Sequence, residues 1–523
     1  MKKTKTVLLL ILGVALLGFS FSKPEKEVET SKKANLKKTS LNQPNVIMLA
    51  LDDLNDWINP LGYAQAKTPN FDRLAKAGVN FTNAHAPNSY CAPSRSAIWT
   101  GLQSSTTGCY KDEVFHYDYP NLLPMHLAFK KGGYDIYGAG KLFHHRAGFV
   151  DLRGWNEFYT RTKEVKEVGY EMGYRGKDLP FPDPYPYSPY YIKQGKKIKG
   201  GPFLEWAPIP NELSEEMLDN KRTNWVCDLL KKEHKNPFFI AVGLYTPHFP
   251  NYAPKKYFDM YDLDKIEIPD FYENDLDDLP APVREYAIRR KAQHHDKLVK
   301  LGLMKEAYRA YLACVSYADA MLGRILDSLE ASSYKDNTVF VVWSDQGYHH
   351  GEKGDWGKHT LWQETSHVPF IFAGSGLEKG VNVNATVGLI DLYPTLAELC
   401  NLPKQHKMDG ISLAPTLKGK PMKDRDLLVP YHKRGSYSVI NSNWRYIHYN
   451  DGTEELYELK KDPNEWYNLA TKESYREVIN KLKKTAPKEF RKPATPKKSL
   501  SLVIKNDTMY WKSKNGGKPQ INL

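Results

Sequence analysis

Short apolar runs rich in Val, Ile and Leu recur along the chain, separated by stretches with helical periodicity. Residues 45–51, 134–138, 237–244, 338–343 and 368–373 form such runs, each bounded by turn residues, whereas 71–77, 212–232 and 305–329 repeat apolar residues at helical spacing. A strand with no polar alternation must be covered on both faces, and the intervening helices supply the covers. The pattern therefore predicts an α/β fold with a mostly parallel sheet flanked by helices. Open sheets of this kind bind ligands beyond the carboxyl ends of their strands. Here those ends are followed by Asp52-Asp53, by Lys141 and His144, by His248, and by Asp345-Gln346, so one shared site is expected.

The flanks read differently. Lys2, Lys3 and Lys5 precede an apolar run from Val7 to Phe19 that closes on Ser20-Phe21-Ser22, the pattern of a secretory signal peptide over 1–22. That run is short of the ~20 apolar residues of a spanning helix, and no later segment is apolar enough, so no membrane span is expected in the mature chain. A polar linker follows over 23–44, then a catalytic domain over 45–424. From 425 to 523 the pattern turns to short tyrosine-rich segments with a turn at Asn450-Asp451-Gly452, which predicts a smaller antiparallel-sheet subdomain.

Charge and cysteine content narrow the function. A net charge of +13 favours anionic partners, although lysines crowd both ends of the chain. No nucleic-acid motif accompanies that charge, and export to the periplasm or beyond argues against such a ligand. Five cysteines are few for an exported chain of 523 residues, so disulfides are not its main staple. Their odd number leaves one for another job.

Cys91-Ala92-Pro93-Ser94-Arg95-Ser96-Ala97-Ile98-Trp99-Thr100-Gly101 supplies that job. Proline and serine just after Cys91 suit a helix start, where unpaired N–H groups attract anions, and Arg95 follows one turn later. The segment resembles the signature of the formylglycine-dependent, type I sulfatases, whose fold is alkaline-phosphatase-like. The resemblance implies that a maturation enzyme oxidises Cys91 to formylglycine, whose hydrate is the nucleophile. It extends from Asn45 to Leu469 and is closest to the iduronate 2-sulfatase-like branch.

The same resemblance assigns the other site residues. Asp52, Asp53, Asp345 and Gln346, with Cys91 beside them, match the metal-binding positions, and oxygen ligands suit one calcium ion. Gln346 departs from the asparagine or histidine common there. In Gly140-Lys141-Leu142-Phe143-His144, the lysine would neutralise sulfate oxygen and the histidine assist proton transfer. His248, in Thr246-Pro247-His248, would protonate the leaving alcohol, and Lys358 matches a second sulfate-binding lysine. The expected substrate is a sulfated carbohydrate, with sugar contacts in 146–206 and the C-terminal part. Two alternatives stand beside this: a phosphoester or phosphonate hydrolase of the same superfamily, and a catalytically silent carbohydrate-binding relative.

Overall fold

Strand β1 (Asn45–Asp52) is buried at every position, as its unbroken apolar run requires when both faces of a sheet are covered. In this computed structural model, which describes residues 43–144, 151, 153–159, 188–195, 204–403, 406–505 and 508–514, Val46, Met48 and Ala50 pack into one apolar layer. Ile47, Leu49 and Leu51 pack into the layer opposite. The expected leader, most of the 23–44 linker and most of the 146–206 insert lie outside the described residues.

Among the described residues β1 belongs to an eight-stranded sheet completed by β2 (Gly78–Phe81), β3 (Asp135–Gly140), β4 (Glu157–Tyr159), β5 (Phe238–Pro247), β6 (Thr338–Ser344), β7 (Phe370–Gly374) and β8 (Val381–Val383). Their order is β8-β2-β7-β6-β1-β5-β3-β4. Strands β6, β1, β5, β3 and β4 run parallel. Strand β7 runs against both β6 and β2, because no crossover helix separates it from β6. Registers align the carboxyl ends: Leu51 opposes Ser344, Asp52 opposes Pro247, and Gly140 opposes Gly243. Side chains just past these pairs meet along one edge.

Helices α1 (Pro69–Ala77), α2 (Cys91–Thr100), α3 (Leu218–Leu230) and α5 (Met304–Glu330) border the sheet, while α4 (Ala281–Gln293) packs Val283 and Ala287 with Trp362, Ile447 and Tyr457. The run 212–232 is not one helix. A 3-10 turn (Asn211–Glu216) precedes α3, and Met217 between them is extended and buried. Helix α4 had no periodic signal, since only Val283 and Ala287 of its residues are buried.

The C-terminal segments form the expected antiparallel sheet from β9 (Leu427–Pro430), β10 (Tyr437–Ile440), β11 (Trp444–His448) and β12 (Glu454–Glu458). Helix α6 (Arg476–Lys483) packs Ile479 and Leu482 against Val439, Tyr446 and Leu456. Buried polar side chains join this sheet to the rest. Arg445 pairs with Glu465 and donates to the Leu361 carbonyl at 3.1 Å, and Lys353 reaches Asp275 and the Glu465 carbonyl. All five cysteines are free thiols, and no described helix is long and apolar enough to cross a membrane.

Candidate active site

The end of β1 makes the acidic side of the site. Asp53 has φ of +62°, in the left-handed region that aspartate tolerates better than bulky residues do. Its carbonyl accepts the Tyr311 hydroxyl from α5 at 2.9 Å, and its N–H donates to Asp345 Oδ1 at 3.2 Å. The sharp turn brings three buried carboxylates, Asp52, Asp53 and Asp345, to one place. Burial pushes the carboxyls of Asp53 and Asp345 up, and only in part do Lys358 for Asp53 and Arg95 for Asp345 pull them back.

Cations balance them. Arg95 Nε donates to Asp345 Oδ2 at 2.8 Å and Arg95 Nη2 to Asp52 Oδ1 at 3.3 Å. Lys141 Nζ pairs with Asp52, and Lys358 Nζ reaches both Asp53 oxygens at 2.7 and 2.9 Å. Burial disfavours the Lys358 charge, but Asp53, Cys91, Asp52 and Asp345 together outweigh it and hold that ammonium well above its ordinary value. Lys141 is aimed by two glycines. A Cβ on Gly140 (φ +65°) would collide with the Gly243 carbonyl, and one on Gly243 with the Lys141 backbone, so only glycine lets β3 and β5 close here.

Cys91 is the first residue of α2, and its Sγ stands among these groups. Lys358 Nζ lies 3.0 Å away, Gln346 Nε2 3.3 Å, Lys141 Nζ 3.9 Å and Asp53 Oδ1 4.0 Å. The helix is pinned by Ser94 Oγ on the Asp345 carbonyl and by Trp99 Nε1 on the Leu142 carbonyl at 2.8 Å. Trp99 also stacks on Phe143 with ring centroids 4.8 Å apart, so α2 and the segment carrying Lys141 brace each other. Burial pushes the Cys91 thiol up to about 11 against the pull of both lysines, which leaves it protonated at neutral pH.

The histidines differ. His248 Nδ1 faces the Phe249 carbonyl, and Nε2 is turned into the site 3.5 Å from Asp53 Oδ2. Burial, then the charges of Lys358 and Lys141, lower its pKa well below the ordinary value. His144 is buried with its ring 5.6 Å from that of Tyr90, the residue before Cys91. Thus Asp52, Asp53, Cys91, Arg95, Lys141, His248, Asp345, Gln346 and Lys358 are joined by direct contacts, and His144 meets the Tyr90 ring and adds to the charges that lower His248.

The donor set fits a cation. One ligand atom each from Asp52, Cys91 and Asp345 lie within 4.8 Å of one another, and so do those of Asp53, Cys91 and His248. Gln346 donates through Nε2 to Asp53, while its buried Oε1 has no hydrogen-bond partner and is an available oxygen ligand. The longer glutamine arm reaches the site.

Sequence reasoning missed the supports. Asp219 on α3 accepts from the N–H groups of Tyr245 (3.0 Å) and Thr246 (3.0 Å) and pairs with Arg222 at 2.8 Å. The Tyr245 ring lies under Lys141 Nζ at 5.3 Å and beside the His248 ring at 4.7 Å. Asp219 stands at the start of α3 and Tyr245 near the end of β5, and residue type alone marks neither as a support.

The family and relatives that the chain matches make it a sulfuric ester hydrolase. The Sulfatase family profile matches residues 44–402 and the N-sulphoglucosamine sulphohydrolase C-terminal profile matches 351–492, and the chain belongs to the sulfatase family. It is similar to a sulfatase of Formosa agariphila, 37% identical over 506 residues that cover 92% of each chain. Human iduronate 2-sulfatase is 27% identical over 435 residues, covering 75% of this chain and 74% of that one. The solved phosphonate monoester hydrolase of Agrobacterium radiobacter shares the fold at 20% identity with a TM-score of 0.67, covering 85% of this chain and 94% of that one.

Proposed function

We propose that this chain is an exported, calcium-dependent sulfatase that hydrolyses sulfate esters of a sulfated carbohydrate, with Cys91 converted to formylglycine by a maturation enzyme. The position of Cys91 Sγ carries the reading: it lies between Lys141 and Lys358 at a helix start, facing Asp53 and Gln346. A buried thiol raised to about 11 is a poor nucleophile, which favours a modified side chain there. The likeness to iduronate 2-sulfatase, with the net charge of +13, supports an anionic sugar substrate.

The chain's own residues divide the work. Asp52, Asp53, Asp345 and Gln346 Oε1 would hold the calcium ion, which when bound supplies Lewis-acid polarisation of a sulfate oxygen. Oxidised and hydrated, residue 91 supplies an oxygen nucleophile. Lys141 Nζ and Lys358 Nζ bind the anionic oxygens, while Arg95 fixes Asp52 and Asp345. His248, tethered through Nδ1, presents Nε2 to the leaving oxygen and takes the proton it delivers once substrate anion offsets the two lysines. His144, which meets the Tyr90 ring and acts on His248, assists proton transfer.

Parallel assay of a sulfate ester and its phosphate or phosphonate counterpart tests the reading. The sulfate ester is expected to be the better substrate, with activity lost on chelation and restored by calcium. A strong phosphate or phosphonate preference, or no turnover at all by protein carrying formylglycine, overturns it.

A further inference from the structure

Each of the two lysines beside Cys91 is preceded by a glycine, in Gly140-Lys141 and in Gly357-Lys358. At Gly140 an added Cβ would stand 2.8 Å from Arg222 Cδ and Nε, and Asp219 pairs with that arginine at 2.8 Å. Gly357 repeats the arrangement with other elements. An added Cβ there would stand 2.1 Å from Arg290 Nη2, and Asp355 holds Arg290 through Nε at 3.0 Å and Nη2 at 2.8 Å. Arg290 comes from the last turn of α4, a helix from a different part of the chain.

The segment that ends in Lys358 needs such a support. Trp356 and Gly357 pair with His350 and His349 in an antiparallel ribbon of two residues on each side. A ribbon this short is not stable by itself. Successive residues of a strand face opposite sides. Trp356 is buried on one side, its ring centroid 5.4 Å from that of Tyr308 and 5.8 Å from that of His350. Asp355 and Gly357 share the other side, where the Arg290 guanidinium meets both. Lys358 follows at once, with Nζ 3.0 Å from Cys91 Sγ and 2.7 Å from Asp53 Oδ1. A backbone displaced by about 1 Å at residue 357 would carry that error to the ammonium, and misplacement of this size can cost roughly 10²-fold in rate. The arginine is not free to swing aside. Its side chain is 16% exposed and that of Asp355 4%, and a guanidinium gripping one carboxylate through two nitrogens keeps a fixed orientation. Because Asp355 neutralises it, Arg290 serves as a spacer against the ribbon and not as a further cation for the sulfate.

We propose that Arg290 is a positioning residue for Lys358: clamped by Asp355 and seated against Gly357, it sets the backbone from which the Lys358 ammonium reaches residue 91 and the sulfate bound there. The inference rests on the sulfatase reading and brings α4 into it.

A double-mutant cycle tests this on full-length, calcium-loaded protein with formylglycine at position 91. It is read as kcat/KM for an activated aryl sulfate, on which weakened variants still turn over, and as the Kd of inorganic sulfate by calorimetry. Arg290→Met/Asp355→Leu removes the clamp without leaving a buried charge unpaired, so the fold should survive. Its kcat/KM should fall roughly tenfold or more, with weaker sulfate binding. On a Lys358→Ala background the same two changes should cost less than about twofold in either readout, because the group they position is gone. Gly357→Ala, which keeps both charges and pushes on the guanidinium, should reproduce the loss and the same dependence on Lys358. Equal losses in the two backgrounds, or no loss while Lys358 is present, overturn the positioning role alone. Wild-type protein that neither cleaves the aryl sulfate nor binds sulfate overturns the sulfatase reading, and this role with it.

Discussion

Around Cys91 the formal charges cancel: Asp52, Asp53 and Asp345 face Arg95, Lys141 and Lys358. A divalent ion among the carboxylates would therefore leave positive charge for an anionic substrate, the electrostatic asymmetry that transfer of a sulfate group requires. In the proposed reaction His248 works from the leaving-group side. His248→Ala should depress kcat for alkyl sulfates far more than for activated aryl sulfates, by roughly 10²-fold or more, because only the former need a proton. Equal losses in a leaving-group series would remove the acid role. Asp52-Asp53, Lys141, His248 and Asp345-Gln346 were legible because they fall just past the ends of apolar runs, whereas Cys91, Arg95 and Lys358 were read from the resemblance to the sulfatase motifs. Tyr311 and Tyr245 were not legible. Tyr311 acts from the middle of α5 through a hydroxyl on the Asp53 carbonyl and Tyr245 from near the end of β5 through a ring beneath Lys141, and residue type distinguishes neither from other buried tyrosines.

Among the elements, α3 has the largest hidden duty. Through Asp219 it clamps the end of β5, and the Arg222 side chain packs where a Cβ on Gly140 would be. One helix thus fixes the strand ends that carry Lys141 and His248. Asp219→Ala takes the carboxylate from a buried guanidinium and should cost about 3–5 kcal/mol. Circular-dichroism melting checks that cost, and kcat should fall with it even where the variant remains folded. A variant with wild-type melting and turnover would show that β5 holds its shape unaided. The strands of the sheet were readable because buried parallel strands are continuous apolar runs. The β7 direction was not, because apolarity reports burial without polarity of the chain. Similarly, the 3-10 turn ahead of α3 shares apolar spacing with the helix and differs only at Met217, where the backbone extends.

The whole molecule couples this site to a fold with many buried titratable groups. Burial lowers His116 and His126 to about 4, while Arg153 and both imidazoles, against burial, hold Asp151 at about 2. For the histidines the unfolded chain takes up protons first, near 6.5, so folded protein loses stability as pH falls from about 6.5 to about 4. At about 1.4 kcal/mol for each pH unit per group, the loss is several kcal/mol. Asp151 adds its own loss only between about 3.8 and 2. Melting temperature should therefore drop through the upper window, and His126→Gln should flatten that drop. A flat profile between pH 6.5 and 4 would contradict the neutral burial of both imidazoles. The central claim concerns one side chain, and mass spectrometry of the peptide containing residue 91, from protein made with its maturation enzyme, tests it most directly. The account predicts a mass lower by one sulfur and two hydrogens and higher by one oxygen than the encoded cysteine. An unmodified cysteine in fully active protein would contradict it.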